Sequence, residues 1–132
     1  MSFMDSNAQL SESLEDYLEV ILRYGEAGSG IRLTDIASNM NVSKPSAHQA
    51  VQRLKELGYV NAVRYDAIHL TKEGREAALR VSKRHSALVA FLSDILGVGA
   101  ETAEKDACRI EHVISRETMD RINQYVDKFS GR

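Results

Sequence analysis

Apolar residues recur along this chain at helical intervals, broken in the middle by two short runs of strand type. Leu10, Leu14, Tyr17, Leu18, Ile21 and Leu22 are three or four residues apart, the spacing that lines one face of a helix. A first helix is predicted over roughly residues 11–27, ending near Gly28. Asp16, Glu19 and Arg23 lie opposite its apolar stripe. Ile31, Arg32 and Leu33 read as a short strand. Thr34 is expected to cap a helix over residues 35–40, followed by a tight turn of Asn41, Val42 and Ser43. Ser43 can cap the next helix, with Pro45 in its first turn, where the absent N–H does no harm. That helix is predicted over residues 46–57, buries Ala47, Ala50, Val51, Leu54 and Leu57, and stops at Gly58. Two helices joined by a three-residue turn make a helix-turn-helix.

Residues 59–64 and 67–70 then read as two strands joined at Tyr65 and Asp66, a wing. Thr71 is expected to cap a long helix, with Glu73 and Glu76 in its early turns. It continues through Leu79, Val81, Leu88, Phe91, Leu92 and Ile95 to Leu96, where Gly97 and Gly99 break it. Further helices are expected over residues 101–115 and 117–129. The predicted fold is mainly α: a winged helix-turn-helix DNA-binding domain over residues 1–71, then an all-helical dimerisation domain over residues 72–132. The last helices are rich in apolar residues for so small a domain, so a homodimer is expected, and a two-fold dimer reads a palindromic operator.

Composition narrows the setting. An apolar content of 43% supports a core. No apolar run approaches the ~18 residues of a membrane span, and the polar N-terminus has no signal-peptide stretch. One cysteine cannot form an internal disulfide, which fits the cytoplasm. The net charge of −2 is unevenly spread: residues 1–30 carry −5, residues 31–84 carry +5 and residues 85–132 carry −2. The basic stretch contains the helix-turn-helix and the wing, where a phosphate-facing surface belongs. Candidate contacts to double-stranded DNA are Ser43, Lys44, Pro45, Ser46, His48, Gln49, Gln52 and Arg53 on the second helix of the pair, and Arg64 in the wing. Gln can bond two edges of adenine, while Arg and Lys reach guanine or phosphate.

The run Cys108-Arg109-Ile110-Glu111-His112 carries the other chemistry. On a helix, positions i, i+3 and i+4 share a face, so a thiol, a carboxylate and an imidazole are expected to point the same way as metal ligands. No oxyanion loop, Gly-rich cradle or substrate pocket is suggested, which argues against an enzyme. A regulator acting through Cys108 oxidation, or one without metal, stays open at this point.

Several runs together resemble the diphtheria toxin repressor and manganese transport regulator family of metal-activated repressors, over nearly the whole chain. They are Leu14-Glu15-Asp16-Tyr17-Leu18-Glu19, Val42-Ser43-Lys44-Pro45-Ser46, Leu70-Thr71-Lys72-Glu73-Gly74, Arg84-His85 with Phe91-Leu92, and Ala107-Cys108-Arg109-Ile110-Glu111-His112-Val113-Ile114-Ser115. The resemblance implies Asp16, Glu19, His85, Cys108, Glu111 and His112 as metal ligands. Asp16 is the residue type of the manganese branch, and Cys108 that of the iron branch. A thiolate favours Fe²⁺, Zn²⁺, Co²⁺ or Ni²⁺ over Mn²⁺, so Fe²⁺ is expected first and Mn²⁺ close behind. The iron branch has a glutamate and a histidine at an ancillary site where this chain has Val89 and Glu104; Glu104 can still ligate beside His85. Larger iron-branch members continue into an SH3-like domain, so an end near Arg132 suggests the short form. The implied mechanism is a divalent ion that clamps the DNA-binding half onto the dimer core, with repression of iron or manganese uptake genes as the outcome.

Overall fold

The apolar stripe at the start of the chain forms α1 (Glu12–Gly25), and Tyr17, Leu18, Ile21 and Leu22 are buried along it. The Oγ of Ser11 accepts the N–H of Leu14 at 3.1 Å and starts the helix. The computed structural model describes residues 10–25, 30–62 and 67–130. The expected end of this helix near Gly28 lies outside those residues.

The strand after it is shorter than expected. β1 is Ile31–Arg32, and α2 (Leu33–Met40) begins at once. Arg32, still extended at φ −83° and ψ 149°, is the residue before the helix, and no side chain caps it. The expectation for Thr34 is corrected on this point: Leu33 is buried as the first helical residue, which places Thr34 inside the helix. α2 ends as a left-handed turn at Asn41, φ 58° and ψ 47°, a conformation asparagine tolerates better than most residues. The N–H groups of Asn41 and Val42 close the turn onto Ser38 and Ala37.

α3 (Lys44–Glu56) starts two residues earlier than predicted. Ser43 is its cap, its Oγ accepting the N–H of Ser46 at 3.2 Å, and Pro45 stands in the first turn. Ala47, Val51 and Leu54 are buried, with Ala50 and Leu57 partly so, as the stripe foretold. The wing strands are β2 (Val60–Ala62) and β3 (Ala67–Leu70). β3 is central in an antiparallel sheet of order β1-β3-β2, pairing Ile31 with Ile68 and Val60 with Leu70. Residues 63–66, with the wing candidate Arg64, lie outside the described residues.

Thr71 caps α4 (Lys72–Ala90) as expected, its Oγ1 accepting the N–H of Gly74 at 3.0 Å and donating to the Gly58 carbonyl at 2.7 Å. The α-helical pattern does not reach Leu96. It gives way to a π-helical turn at Phe91–Ile95, where the Leu96 N–H bonds the Phe91 carbonyl five residues back. α5 is Ala100–Ile110, shorter than the predicted 101–115. The N–H of Val113 bonds Ile110 only three residues back, which tightens the chain into a turn. Ser115 then caps α6 (Arg116–Ser130) by accepting the Thr118 N–H at 3.1 Å.

The chain packs as two units, one ending at Leu79 and one beginning at Arg80. The first has a core of Tyr17, Leu18, Ile21, Ile36, Leu54, Val60, Ile68, Ala77 and Ala78 among others. The second is centred on Ala87, Leu88, Ala107 and Met119, with Val89, Leu92, Ile110, Ile114 and Ile122 packed around them. Among the described residues no helix is long and apolar enough to cross a membrane.

Candidate metal centre and nucleic-acid interface

Glu104 of α5, the turn that follows α5 and His85 of α4 build one connected group in the helical unit. His85, on α4, uses both ring nitrogens: Nδ1 meets Glu111 Oε1 at 2.8 Å and Nε2 meets Glu104 Oε2 at 2.5 Å. The other oxygen of Glu111 lies 3.3 Å from His112 Nε2. Glu104, His85, Glu111 and His112 therefore form a chain of alternating carboxylates and imidazoles. Its inner end is dry: the side chains of Glu111 and His112 are 0% and 3% exposed, against 63% for Glu104.

Burial alone draws a charged imidazole toward its neutral form. At His85 that effect is outweighed by the hydrogen bonds to Glu104 and Glu111 and by their charges, which leave its pKa above the ordinary value of 6.5. A proton on His85 thus helps hold the carboxylates together.

The candidate ligands fall into three placements. His85, Glu104, Glu111 and His112 are brought together. Cys108 stands one turn earlier on α5 and is exposed. Asp16 and Glu19 lie half-buried on α1 in the first unit. α5 ends at Ile110, and the two residues after it are in the turn and almost fully covered, unlike the cysteine. Val89, where the iron branch has a carboxylate, packs with the second core.

Sequence reasoning passed over two residues. Glu15 is a buried carboxylate at 7% exposure, and its place between Leu14 and Asp16 gave no sign of that. Arg84 donates from Nε to the carbonyl oxygen of Glu111 at 3.1 Å. It was visible in the Arg84-His85 pair, but nothing in that pair indicates a backbone acceptor.

A set of two imidazoles and two carboxylates, half of it dry, suits a divalent first-row cation. The thiol of Cys108 adds a softer donor type on the same helix. The residues present therefore fit such an ion.

In the first unit, Ser43, Lys44, Pro45, Ser46, His48, Gln49, Gln52 and Arg53 are all exposed on α3 or at its start. Ser43 Oγ donates to Ser46 Oγ at 3.0 Å, so the start of the helix is preorganised. Arg53 Nη1 lies 3.3 Å from Glu56 Oε1, a surface pair that a phosphate can displace.

Known protein families match the chain in two consecutive parts. Residues 9–68 match the family described as iron dependent repressor, N-terminal DNA binding domain, and residues 71–131 match its metal binding and dimerisation domain. An uncharacterized HTH-type transcriptional regulator of Methanocaldococcus jannaschii is 34% identical over 124 residues, covering 93% of this chain and 99% of that protein. The transcriptional regulator MntR of Salmonella typhimurium is 35% identical over 117 residues, covering 86% of this chain and 71% of that protein. The structure of the manganese regulator SloR is similar, with a TM-score of 0.75 and 27% identity; it matches 86% of this chain, which spans about half (53%) of the SloR chain. The chain belongs to the diphtheria toxin repressor and manganese transport regulator family of metal-dependent, DNA-binding transcriptional repressors.

Proposed function

We propose that this repressor senses Fe²⁺ or Mn²⁺ through Asp16, Glu19, His85, Cys108, Glu111 and His112, with Glu104 completing the set beside His85. The observation that carries the reading is His85 with a carboxylate on each ring nitrogen, next to the covered Glu111–His112 pair. DNA reading falls to residues 1–71, and metal binding and dimerisation to residues 72–132. The protein acts in the cytoplasm as a homodimer on a palindromic operator, controlling genes for iron or manganese uptake.

When bound, the ion supplies positive charge that neutralises carboxylates which otherwise repel one another. The chain's own residues do the rest. His85, Glu104 and Glu111 would hold the ion, and His85 would have to be neutral to offer a ring nitrogen, so its proton would be released on binding. Asp16 and Glu19 would add ligands from α1, so that metal binding would restrain the DNA-binding half. That restraint sets the spacing of two α3 helices for successive major grooves. The coupling between metal and DNA is of the usual allosteric size, about 1–3 kcal/mol. Gln49, Gln52 and Arg53 meet base edges, while Lys44 and Arg64 meet phosphate.

Calorimetric titration of chelator-stripped protein with Mn²⁺, and with Fe²⁺ under anaerobic conditions, tests the first step. Saturable binding that is lost in His112→Ala is expected. Selection from a random duplex pool with and without Mn²⁺ tests the second. Glu19→Ala is expected to keep its fold and lose metal-dependent DNA binding; undiminished metal-dependent binding by that variant would overturn the restraint by α1.

A further inference from the structure

Arg84 and His85 are neighbours on α4, and both reach Glu111, at different ends. The Nε–H of Arg84 donates to its backbone carbonyl oxygen at 3.1 Å, across 27 residues of sequence. His85 Nδ1 meets its carboxylate at 2.8 Å. Glu111 is the residue that closes α5. Carbonyls at a helix C-terminus have no N–H donor from a following turn, and a cation there meets the negative end of the helix dipole. Arg84 is half-buried, so this bond is shielded more than a surface one.

We propose that Arg84 is a positioning residue for the metal centre. By holding the carbonyl of Glu111, it fixes the backbone of the turn that carries Glu111 and His112. The two side chains then offer their donors to a divalent cation without the backbone having to rearrange. This inference rests on the reading of the cluster as a metal centre, and it adds a residue that is not itself a ligand. Groups that orient ligands from outside commonly matter about 10–100-fold in metal affinity.

The charge of Arg84 and its hydrogen bond make opposite predictions. A guanidinium near a cation site repels the cation, so if charge dominated, removing Arg84 would tighten metal binding. If positioning dominates, removing it weakens binding. Arg84→Ala removes both features. Arg84→Gln keeps an N–H donor without the charge. Arg84→Lys keeps the charge and a donor.

The test is calorimetric titration of the chelator-stripped full chain and these variants with Mn²⁺, alongside the visible d–d spectrum of the Co²⁺-loaded proteins. Circular dichroism checks that each is folded. Arg84→Ala is expected to bind Mn²⁺ about tenfold or more weakly and to shift the Co²⁺ spectrum, with Arg84→Lys recovering most of the affinity. Should Arg84→Ala fail to fold, Arg84→Met, which keeps much of the side-chain bulk and removes both donor and charge, is compared with Arg84→Gln, which keeps a donor: weaker binding in Arg84→Met than in Arg84→Gln supports positioning, and equal binding overturns it. Wild-type affinity or tighter binding in folded Arg84→Ala overturns the inference, as does an unchanged Co²⁺ spectrum. If wild type binds Mn²⁺ and the variants match it, only the role of Arg84 fails. If wild type binds no metal, the metal centre fails and this inference with it.

Discussion

The carbonyl oxygen of Tyr59 occupies the place where a Cβ on Gly74 would stand, 1.8 Å from its ideal position. The start of α4 therefore lies directly against the backbone leading into the wing, and the Thr71 N–H bonds the same Tyr59 carbonyl at 3.0 Å. Only a residue without a side chain fits, and the obstacle is backbone, which cannot rotate aside. Gly74→Ala must push α4 away from the wing. A loss of about 1–3 kcal/mol or more is expected, as for an overpacked core. Urea unfolding of the metal-free protein checks it, through a lower midpoint at an unchanged slope.

His85 gives the metal-free protein a pH dependence of predictable sign. Its pKa in the folded chain is raised, because the contacts with Glu104 and Glu111 outweigh burial. A raised pKa means that the folded state holds the proton more tightly than the unfolded chain does. The stabilisation is fully present below the unfolded pKa and is lost as pH rises through the folded one. Thermal midpoints of chelator-treated protein should accordingly fall as pH rises through the histidine range and above it. His85→Gln should flatten that slope. With His85 a ligand as proposed, Mn²⁺ affinity should move the opposite way over the same window, since the ion and the proton would compete for one imidazole. A rise of the metal-free midpoint with pH that His85→Gln abolishes would contradict this account.

What was legible in the sequence follows from which interactions are local. Ser43 as a cap, Pro45 in the first turn and the stripe of Ala47, Val51 and Leu54 each need only a few neighbours in sequence, and α3 formed on them. Thr34 does not cap α2 because a buried Leu33 opens the helix directly from the strand, and that burial is a tertiary fact. The π-helical turn at Phe91–Ile95 has no sequence mark either. It coincides with the edge-on packing of Phe91 against Tyr125, ring centroids 6.4 Å apart, from 34 positions further along the chain. The site divides in the same way. The candidate ligand types came from the Cys108–His112 run and the resemblance, and the structure brings His85, Glu104, Glu111 and His112 together. The bond from Arg84 to a carbonyl and the burial of Glu15 depend on partners that residue spacing does not encode.

The caps and the exposed face of α3 separate stability from DNA recognition. Ser43→Ala removes the acceptor for the Ser46 N–H and is expected to cost about 1 kcal/mol, as helix caps do. Gln49→Ala and Gln52→Ala change exposed positions without such bonds and should stay within about 0.5 kcal/mol of wild type. On the selected operator the ranking reverses in kind. Each glutamine variant should lose affinity for one base position by about 1–3 kcal/mol, and Lys44→Ala should lose affinity evenly across sequences with a shallower salt dependence. Fluorescence anisotropy at several salt concentrations distinguishes them. Equal losses on operator and random duplex for Gln49→Ala and Gln52→Ala would show that α3 touches only the backbone.

Whether Cys108 joins the proposed ligand set bears on which ions the centre prefers. It is exposed on α5, while the covered part of the cluster offers imidazole and carboxylate. As a thiolate ligand it would add a soft donor and tilt the ranking from Mn²⁺ toward Fe²⁺ and Co²⁺. The Co²⁺-loaded protein should then show an intense near-ultraviolet thiolate-to-metal band that Cys108→Ser removes. The same substitution should weaken Fe²⁺ and Co²⁺ binding by about 10-fold or more and leave Mn²⁺ much less affected, since a hydroxyl is a harder donor than a thiolate. A weak visible spectrum without that band, together with equal affinities in wild type and Cys108→Ser, would take the thiol out of the ligand set. The nitrogen and oxygen donors of His85, Glu104, Glu111 and His112 would remain, a set better matched to Mn²⁺.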